Sequence, residues 1–381
     1  MKYIYLDHAA TTPMHPDVIE EMTTVMNSIF GNPSSIHGVG REAHQKLEAV
    51  RQVIADSLKV KPHEIIFTSG GTEGDNTAII ETAEVMKKQG KHIITTAVEH
   101  PAVLQPLRYL ESKGYDVTYL PVDESGRIIL KDFKSALRED TILVSIVYGN
   151  SETGQLMPIK EIGEILQEHP AVFHTDAVQA YGSEEISPKE MGIDLLSASG
   201  HKINGPKGVG FLYKRDGLVF QPLLRGGEQE EKRRAGTENI AGIAGMGKAV
   251  EWLTPAEKAA HKAKNKDFQE IILDKLSEAG IDYQINGDCE NKLSHILNIW
   301  FKGVSGDLLL MHLDLNGVAV SIGSACTAGT VDPSHVLEAI YGKGHPAVKE
   351  SLRISFGYGN TEEEMIRFAD LLIKTVQRLK N

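Results

Sequence analysis

The chain has 381 residues, 41% of them hydrophobic and 24% charged, with a formal net charge of −12. That length suits about two domains and a large core. The acidic balance excludes non-specific nucleic-acid binding, which needs a basic surface, and no apolar stretch approaches the roughly 20 residues of a membrane span.

The segment Met1–Asp7 reads as the start of a strand. It has neither the apolar stretch of a secretory signal nor an Arg-rich transit pattern, so a cytoplasmic protein is expected. Gly38-Val39-Gly40-Arg41-Glu42-Ala43 has the outline of a dinucleotide fingerprint, but the loop Gly31–His37 stands where a strand is required. It reads instead as a helix start. Ile65-Ile66-Phe67 then precedes helical periodicity over 73–88, His92–Thr95 precedes 102–113, and Ile142–Val147 precedes 159–168. Short, nearly continuous apolar strands alternating with helices predict an α/β fold with a mostly parallel sheet covered on both faces. Ligands of such sheets bind at the carboxyl ends of the strands, and His100, Asn150, Asp176 and Lys202 all fall just past predicted strand ends.

The character changes near Leu253-Thr254-Pro255. A charged amphipathic helix over 256–279 follows, then strands around Ile296–Trp300 and Val318–Val320, then a helix over 361–379. The expected division is a large domain over 15–255 and a smaller α+β domain made of 1–14 and 256–381.

Several positions carry chemistry. Asp176 ends the run Ala171–Thr175, and Lys202 follows the run Ile193–Ala198 within Ser199-Gly200-His201-Lys202. A carboxylate at one strand end and a lysine at the next is the pair that pyridoxal phosphate needs: the amine bonds to the aldehyde, and the acid keeps the ring nitrogen protonated. Taken singly, each reads more readily as a surface lysine or a turn aspartate; their order and the phosphate loop reverse that. Thr68-Ser69-Gly70-Gly71-Thr72-Glu73 leads from a strand into a helix, where backbone N–H groups can seat a phosphate; a plain turn with Thr72 as N-cap is the alternative. It lacks the Gly-Lys-Ser/Thr ending of a Walker loop.

Of the two cysteines, Cys289 has acidic neighbours and reads as incidental. Cys326 sits in the small-residue stretch Ser321–Thr330, leading to a helix start at Asp332-Pro333-Ser334. It is either an accessible reactive thiol or a small buried hydrophobe. Arg353, among strand residues, implies a buried partner: a substrate carboxylate or a structural acid. The 15 histidines show no metal-ligand spacing, and no metal is expected.

In chain order, Tyr5–Pro13, Phe30–Ser35, Phe67–Glu73, Glu99-His100, Asn150–Gly154, Asp176–Gln179, Ser199–Lys202, Arg234–Thr237, Gly323–Cys326 and Arg353–Ser355 resemble the motifs of the pyridoxal-phosphate cysteine desulfurases of the NifS/IscS type. The likeness covers nearly the whole chain. The length of the stretch after Cys326 resembles the group allied with general iron–sulfur assembly and tRNA thiolation. Gly71 stands where many members carry alanine, and the chain stops soon after the last helix, where well-known members extend further.

The resemblance implies a fold-type-I, aminotransferase-like architecture with a seven-stranded sheet, and a homodimer with active sites at the subunit interface. It implies Lys202 as the cofactor-bonding lysine, Asp176 at the ring nitrogen, Gln179 at the ring hydroxyl, and His100 over the ring. Gly71, Thr72, Ser199 and His201 would hold the phosphate, with Thr237 from the other subunit. Asn150 and Arg353 would hold the carboxylate of L-cysteine, and Cys326 would take the sulfur and pass it to an iron–sulfur scaffold or a tRNA-thiolating enzyme. A selenocysteine-preferring lyase and a non-catalytic sulfur-relay protein are the alternatives; intact Lys202, Asp176 and Cys326 speak against the second.

Overall fold

The computed structural model describes residues 3–323 and 333–380. Twelve strands appear: β1 Ile4–Tyr5, β2 Ile65–Thr68, β3 His92–Thr96, β4 Asp116–Leu120, β5 Thr141–Ser145, β6 Val172–Asp176, β7 Leu195–Ser199, β8 Gly210–Lys214, β9 Tyr283–Ile285, β10 Ile296–Phe301, β11 Val318–Ala319 and β12 Ser351–Ser355. Seven form one sheet in the order β2-β8-β7-β6-β5-β3-β4. The run from β7 to β4 is parallel, whereas β8 pairs antiparallel with both β7 and β2. The antiparallel β8 follows from a short return: the chain leaves β7 through the turn at Lys202 and re-enters the sheet after only a loop, which a parallel crossover does not allow.

Alternation along the strands supplies two cores. Ile65, Phe67, Phe211 and Tyr213 point to one side, where they meet Leu47, Ile54 and Met246 of covering helices. Ile66 and Leu212 point to the other, against Ala78, Ile79, Val103 and Leu107. A sheet buried on both faces is what near-continuous apolar strands require.

A separate core gathers β10 and β12 with Phe268, Ile272 and Leu276 of the helix Pro255–Glu278 and Phe368, Leu372 and Val376 of the helix Glu362–Lys380. The first of these helices starts where the sequence signals it: Thr254 accepts from Glu257 N at 3.2 Å, and Pro255 takes the first helical position. Ile4 and Leu6 belong to this core too, because β1 pairs with β11 and Ser355 N donates to the Leu6 carbonyl at 2.8 Å.

Two boundaries differ from the sequence reading. The helix expected over 73–88 runs Gly71–Met86, because Gly70, not Thr72, is its N-cap; at φ +149° Gly70 occupies a conformation that side chains disfavour. The strand expected over 142–147 ends at Ser145; beyond it Ile146 N still donates to the His174 carbonyl at 3.1 Å, but Val147 N turns to Glu99 Oε1 at 2.9 Å. No helix of the described residues is long and apolar enough to cross a membrane.

Candidate active site

The carboxyl ends of β6 and β7 bring Asp176 and Lys202 to one cavity of about 300 Å³. Ser199, the last residue of β7, is followed by a tight turn Gly200–Lys202. The Lys202 ammonium donates to the Ala10 carbonyl at 2.9 Å and to that of Ala9. Those carbonyls lie on a segment that runs on from Ile4 and Leu6 of the other core and is stitched to the turn: Thr12 N and Oγ1 both donate to the His201 carbonyl, at 3.0 and 2.8 Å, and Asn204 N donates to Thr12 Oγ1 at 2.9 Å.

Asp176 is 5% exposed, and its Oδ1 accepts from Val178 N at 2.9 Å. Burial pushes its carboxyl up to about 6, and the neighbouring Asp75 carboxyl adds to this while His100 opposes it. Gln179 spends its amide N–H on the Ala9 carbonyl at 2.8 Å and turns its Oε1 toward His295 Nε2 at 3.4 Å. His100 caps the helix Pro101–Ser112, its Nδ1 accepting from Ala102 N at 3.1 Å. Burial lowers its basicity, Asp176 opposes that, and Lys202 and His335 add to it, so the ring is neutral near pH 7.

The anion seat is built at the start of the helix Gly71–Met86. Thr72, Ser199 and His201 border the cavity beside its N-terminal turn. A Cβ at Gly71 would stand 2.6 Å from Val178 Cγ2, so the floor of the seat is bare of side chain here. Burial, followed by the charges of Lys202 and Lys207, lowers His201 to about 4, leaving it neutral.

Arg353, 2% exposed, lies on β12 at the cavity wall. Its Nη2 pairs with Asp7 Oδ1 at 2.8 Å and its Nη1 donates to the Ser151 carbonyl at 3.0 Å, but Nε has no partner. Arg353 therefore has a structural acid in Asp7, with its Nε left unpaired. Asn150 also borders the cavity, with Nδ2 donating to the Val98 carbonyl at 3.0 Å and Oδ1 accepting from Glu152 N at 2.8 Å.

Thr237 is exposed and does not border this cavity. The segment before it is pinned to the anion seat, since Arg234 pairs with Glu73 at 2.8 Å and the buried Arg51 grips Glu230 at 2.7 and 2.8 Å. Cys326 lies outside the described residues, whereas Ser334 caps the following helix, His335–Tyr341, as the sequence signalled.

Sequence reasoning missed three contributors. Asp75, Glu99 and His335 all border the cavity. Asp75 sits three residues beyond Thr72 and Glu99 adjoins His100, so helical spacing and adjacency were the available signals. Among the described residues no group of three or more His, Cys, Asp or Glu could hold a metal ion.

These residues fit pyridoxal phosphate. A helix N-terminus with hydroxyls suits the phosphate, Lys202 the aldehyde and neutral His100 the ring face. Asp75 Oδ1 and Glu99 Oε2 are buried without partners beside Asp176, a surplus of acid that suits a protonated ring nitrogen.

Comparison with known proteins agrees. Residues 4–368 match the aminotransferase class-V family model. The chain is similar to a putative cysteine desulfurase IscS 1 of Bacillus subtilis, 53% identical over 100% of both chains. It is also similar to a cysteine desulfurase IscS of Methanosarcina thermophila, 44% identical over 100% of this chain and 93% of that one. Among solved structures, a NifS-like protein superimposes with a TM-score of 0.92 at 34% identity, covering 99% of this chain and 100% of that chain. SspA in complex with cysteine gives 0.82 at 37% identity, covering 92% and 98%. With its sheet, its lysine and its buried acids in place, the chain belongs to the aminotransferase class-V family, among the pyridoxal-phosphate-dependent cysteine desulfurases.

Proposed function

We propose that the protein converts L-cysteine to L-alanine and takes the sulfur onto Cys326 as a persulfide, for delivery to an iron–sulfur scaffold, a tRNA-thiolating enzyme or both. The observation that carries this reading is the convergence of Lys202, Asp176, the anion seat and the part-satisfied Arg353 on one cavity.

When bound, the cofactor supplies a carbonyl for the substrate amine and a ring that accepts the electron pair released at Cα. Lys202, Asp176, Gln179, Thr72, Gly71, Ser199 and His201 hold it, with Thr237 reaching the partner's site in a homodimer. Arg353 Nε and Asn150 orient the substrate carboxylate. Lys202, once its amine is released, removes the proton from Cα and later returns one. Neutral His100 holds or takes the proton of the substrate thiol. Cys326, as thiolate, attacks the substrate sulfur; a sulfur–sulfur bond forms, the carbon–sulfur bond breaks, and its electron pair stays with the carbon that becomes alanine's methyl.

Two units serve this chemistry, a cofactor domain over 15–255 and a smaller domain of 1–14 and 256–381 that carries Cys326 and Arg353; the separate cores support the division. A cytoplasmic setting suits a thiol that must stay reduced between cycles.

Incubation of the holoenzyme with L-cysteine tests the reading. Alanine with persulfide mapped to Cys326 is expected. Alanine without persulfide there would make the protein a lyase that releases sulfur directly, and neither product from cofactor-loaded protein would overturn the assignment.

A further inference from the structure

Three carboxyl groups surround one small buried volume. Asp176 ends β6, Glu99 precedes the helix Pro101–Ser112, and Asp75 is the fifth residue of the helix Gly71–Met86. Each is at least 95% buried. Only Asp176 has a part in the proposed chemistry.

Asp75 reaches the sheet because of Gly74. A Cβ there would stand 2.8 Å from Ser197 Oγ, so the helix lies closer to β7 than any side chain would allow. Below it a polar row crosses three strands. His174 Nδ1 meets Ser145 Oγ of β5 at 2.8 Å, and His174 Nε2 lies 3.2 Å from Ser197 Oγ of β7 and 3.5 Å from Asp75 Oδ1. His174 and Asp176 are two apart on β6 and share a face, so this row backs directly onto the acid that faces the cavity.

A purely structural row would satisfy its members, yet Asp75 Oδ1 has no hydrogen-bond partner. Nor does a cation balance it: burial lowers His174 to about 4, against the pull of Asp176, so the imidazole is neutral. The remaining groups facing this volume are Glu99 and His100 from the segment before Pro101 and Lys202 beyond β7, with His335 behind His100.

We propose, resting on the reading of Asp176 as the partner of the cofactor's ring nitrogen, that Asp75 and His174 form a positioning unit that keeps negative charge behind Asp176 and so strengthens its hold on a protonated ring. A buried carboxylate close to another makes each more eager for a positive neighbour. Burial pushes Asp75 up to about 7 and Glu99 to about 8 in the chain alone, so an arriving cation lets both discharge their protons.

The test is a substrate-free pH titration of the visible absorption of the bound cofactor. Asp75→Asn keeps the shape and removes the charge; its midpoint should fall by about half a unit or more, with kcat reduced several-fold and KM within about twofold. His174→Phe removes the polar imidazole that stands 3.5 Å from Asp75 Oδ1 and should shift the midpoint the same way. Adding Asp75→Asn to it should then move the midpoint less than Asp75→Asn does alone. An unmoved midpoint in either folded variant, or fully additive shifts, overturns the proposal. One measurement needs no variant: loading wild-type apoprotein at about pH 6.5 should abolish infrared absorption from a protonated buried carboxyl, and its persistence overturns the proposal. An unmoved midpoint in Asp176→Asn would instead refute the Asp176 reading itself.

Discussion

Lys202 borders two cavities, one of about 300 Å³ and one of about 380 Å³. The larger is lined by Lys258, Lys262 and Lys264, whose charges are already spent: Lys258 donates to the Glu184 carbonyl at 2.7 Å, Lys264 to that of Asn360 at 2.8 Å, and Lys262 faces Glu184 at 3.7 Å. The smaller is lined by buried acids with oxygens left over. The contrast teaches that unbalanced buried charge, not volume, marks where a ligand belongs.

The strongest way to break the contrast is at the shared lysine. Lys202→Ala should abolish turnover and the visible absorption of covalently held cofactor, whereas Lys262→Ala, in the larger cavity, should leave turnover within about twofold. Steady-state alanine formation by both variants decides it. Cys326→Ala should lose persulfide formation while keeping its colour; a colourless protein would place Cys326 in cofactor binding instead.

Arg353→Ala should raise KM for cysteine by roughly tenfold or more with a smaller effect on kcat, and should cost stability of about 3 kcal/mol because Asp7 loses its buried partner. Asp7→Asn sharpens the point: it frees a second guanidinium donor, and its KM should not rise.

The smallest effect is on apoprotein stability. The folded carboxyls of Asp176, Asp75 and Glu99, raised to about 6, 7 and 8, bind protons more tightly than in the unfolded chain, so their contribution is present at low pH and is lost as pH rises through those values. His174 and His201, lowered to about 4, act oppositely and lose stability as pH falls below their ordinary range. Melting of the apoprotein should therefore fall by roughly 5 °C between about pH 6 and pH 8, and cofactor should flatten that fall.

The strand-end residues were legible because an α/β sheet fixes where its ligands go. Asp176 and Lys202 needed only strand ends to be located, and the loop at Gly70 announced its helix. Asp75 was hidden because an acid near a helix start ordinarily reads as a solvated partner of the helix dipole; the close approach at Gly74 brings it against the sheet. The run 142–147 misled because apolar character continues past the point where Glu99 captures the backbone. The second grip on Arg353 was named as an alternative, but Asp7 is 346 residues away and could not be identified as its partner.

That same distance governs how the molecule is made. The carbonyls that hold Lys202 belong to residues 9 and 10, 192 or more positions earlier, and Ala9 N is itself fixed by Ser355 Oγ at 2.8 Å across 346 positions. Contacts of such separation close slowly and late. Ala9 and Ala10 precede Lys202 in the chain, but the Ser355 hydroxyl that fixes Ala9 N lies on β12, so the seat of the lysine is completed by a strand made after all seven strands of the large sheet.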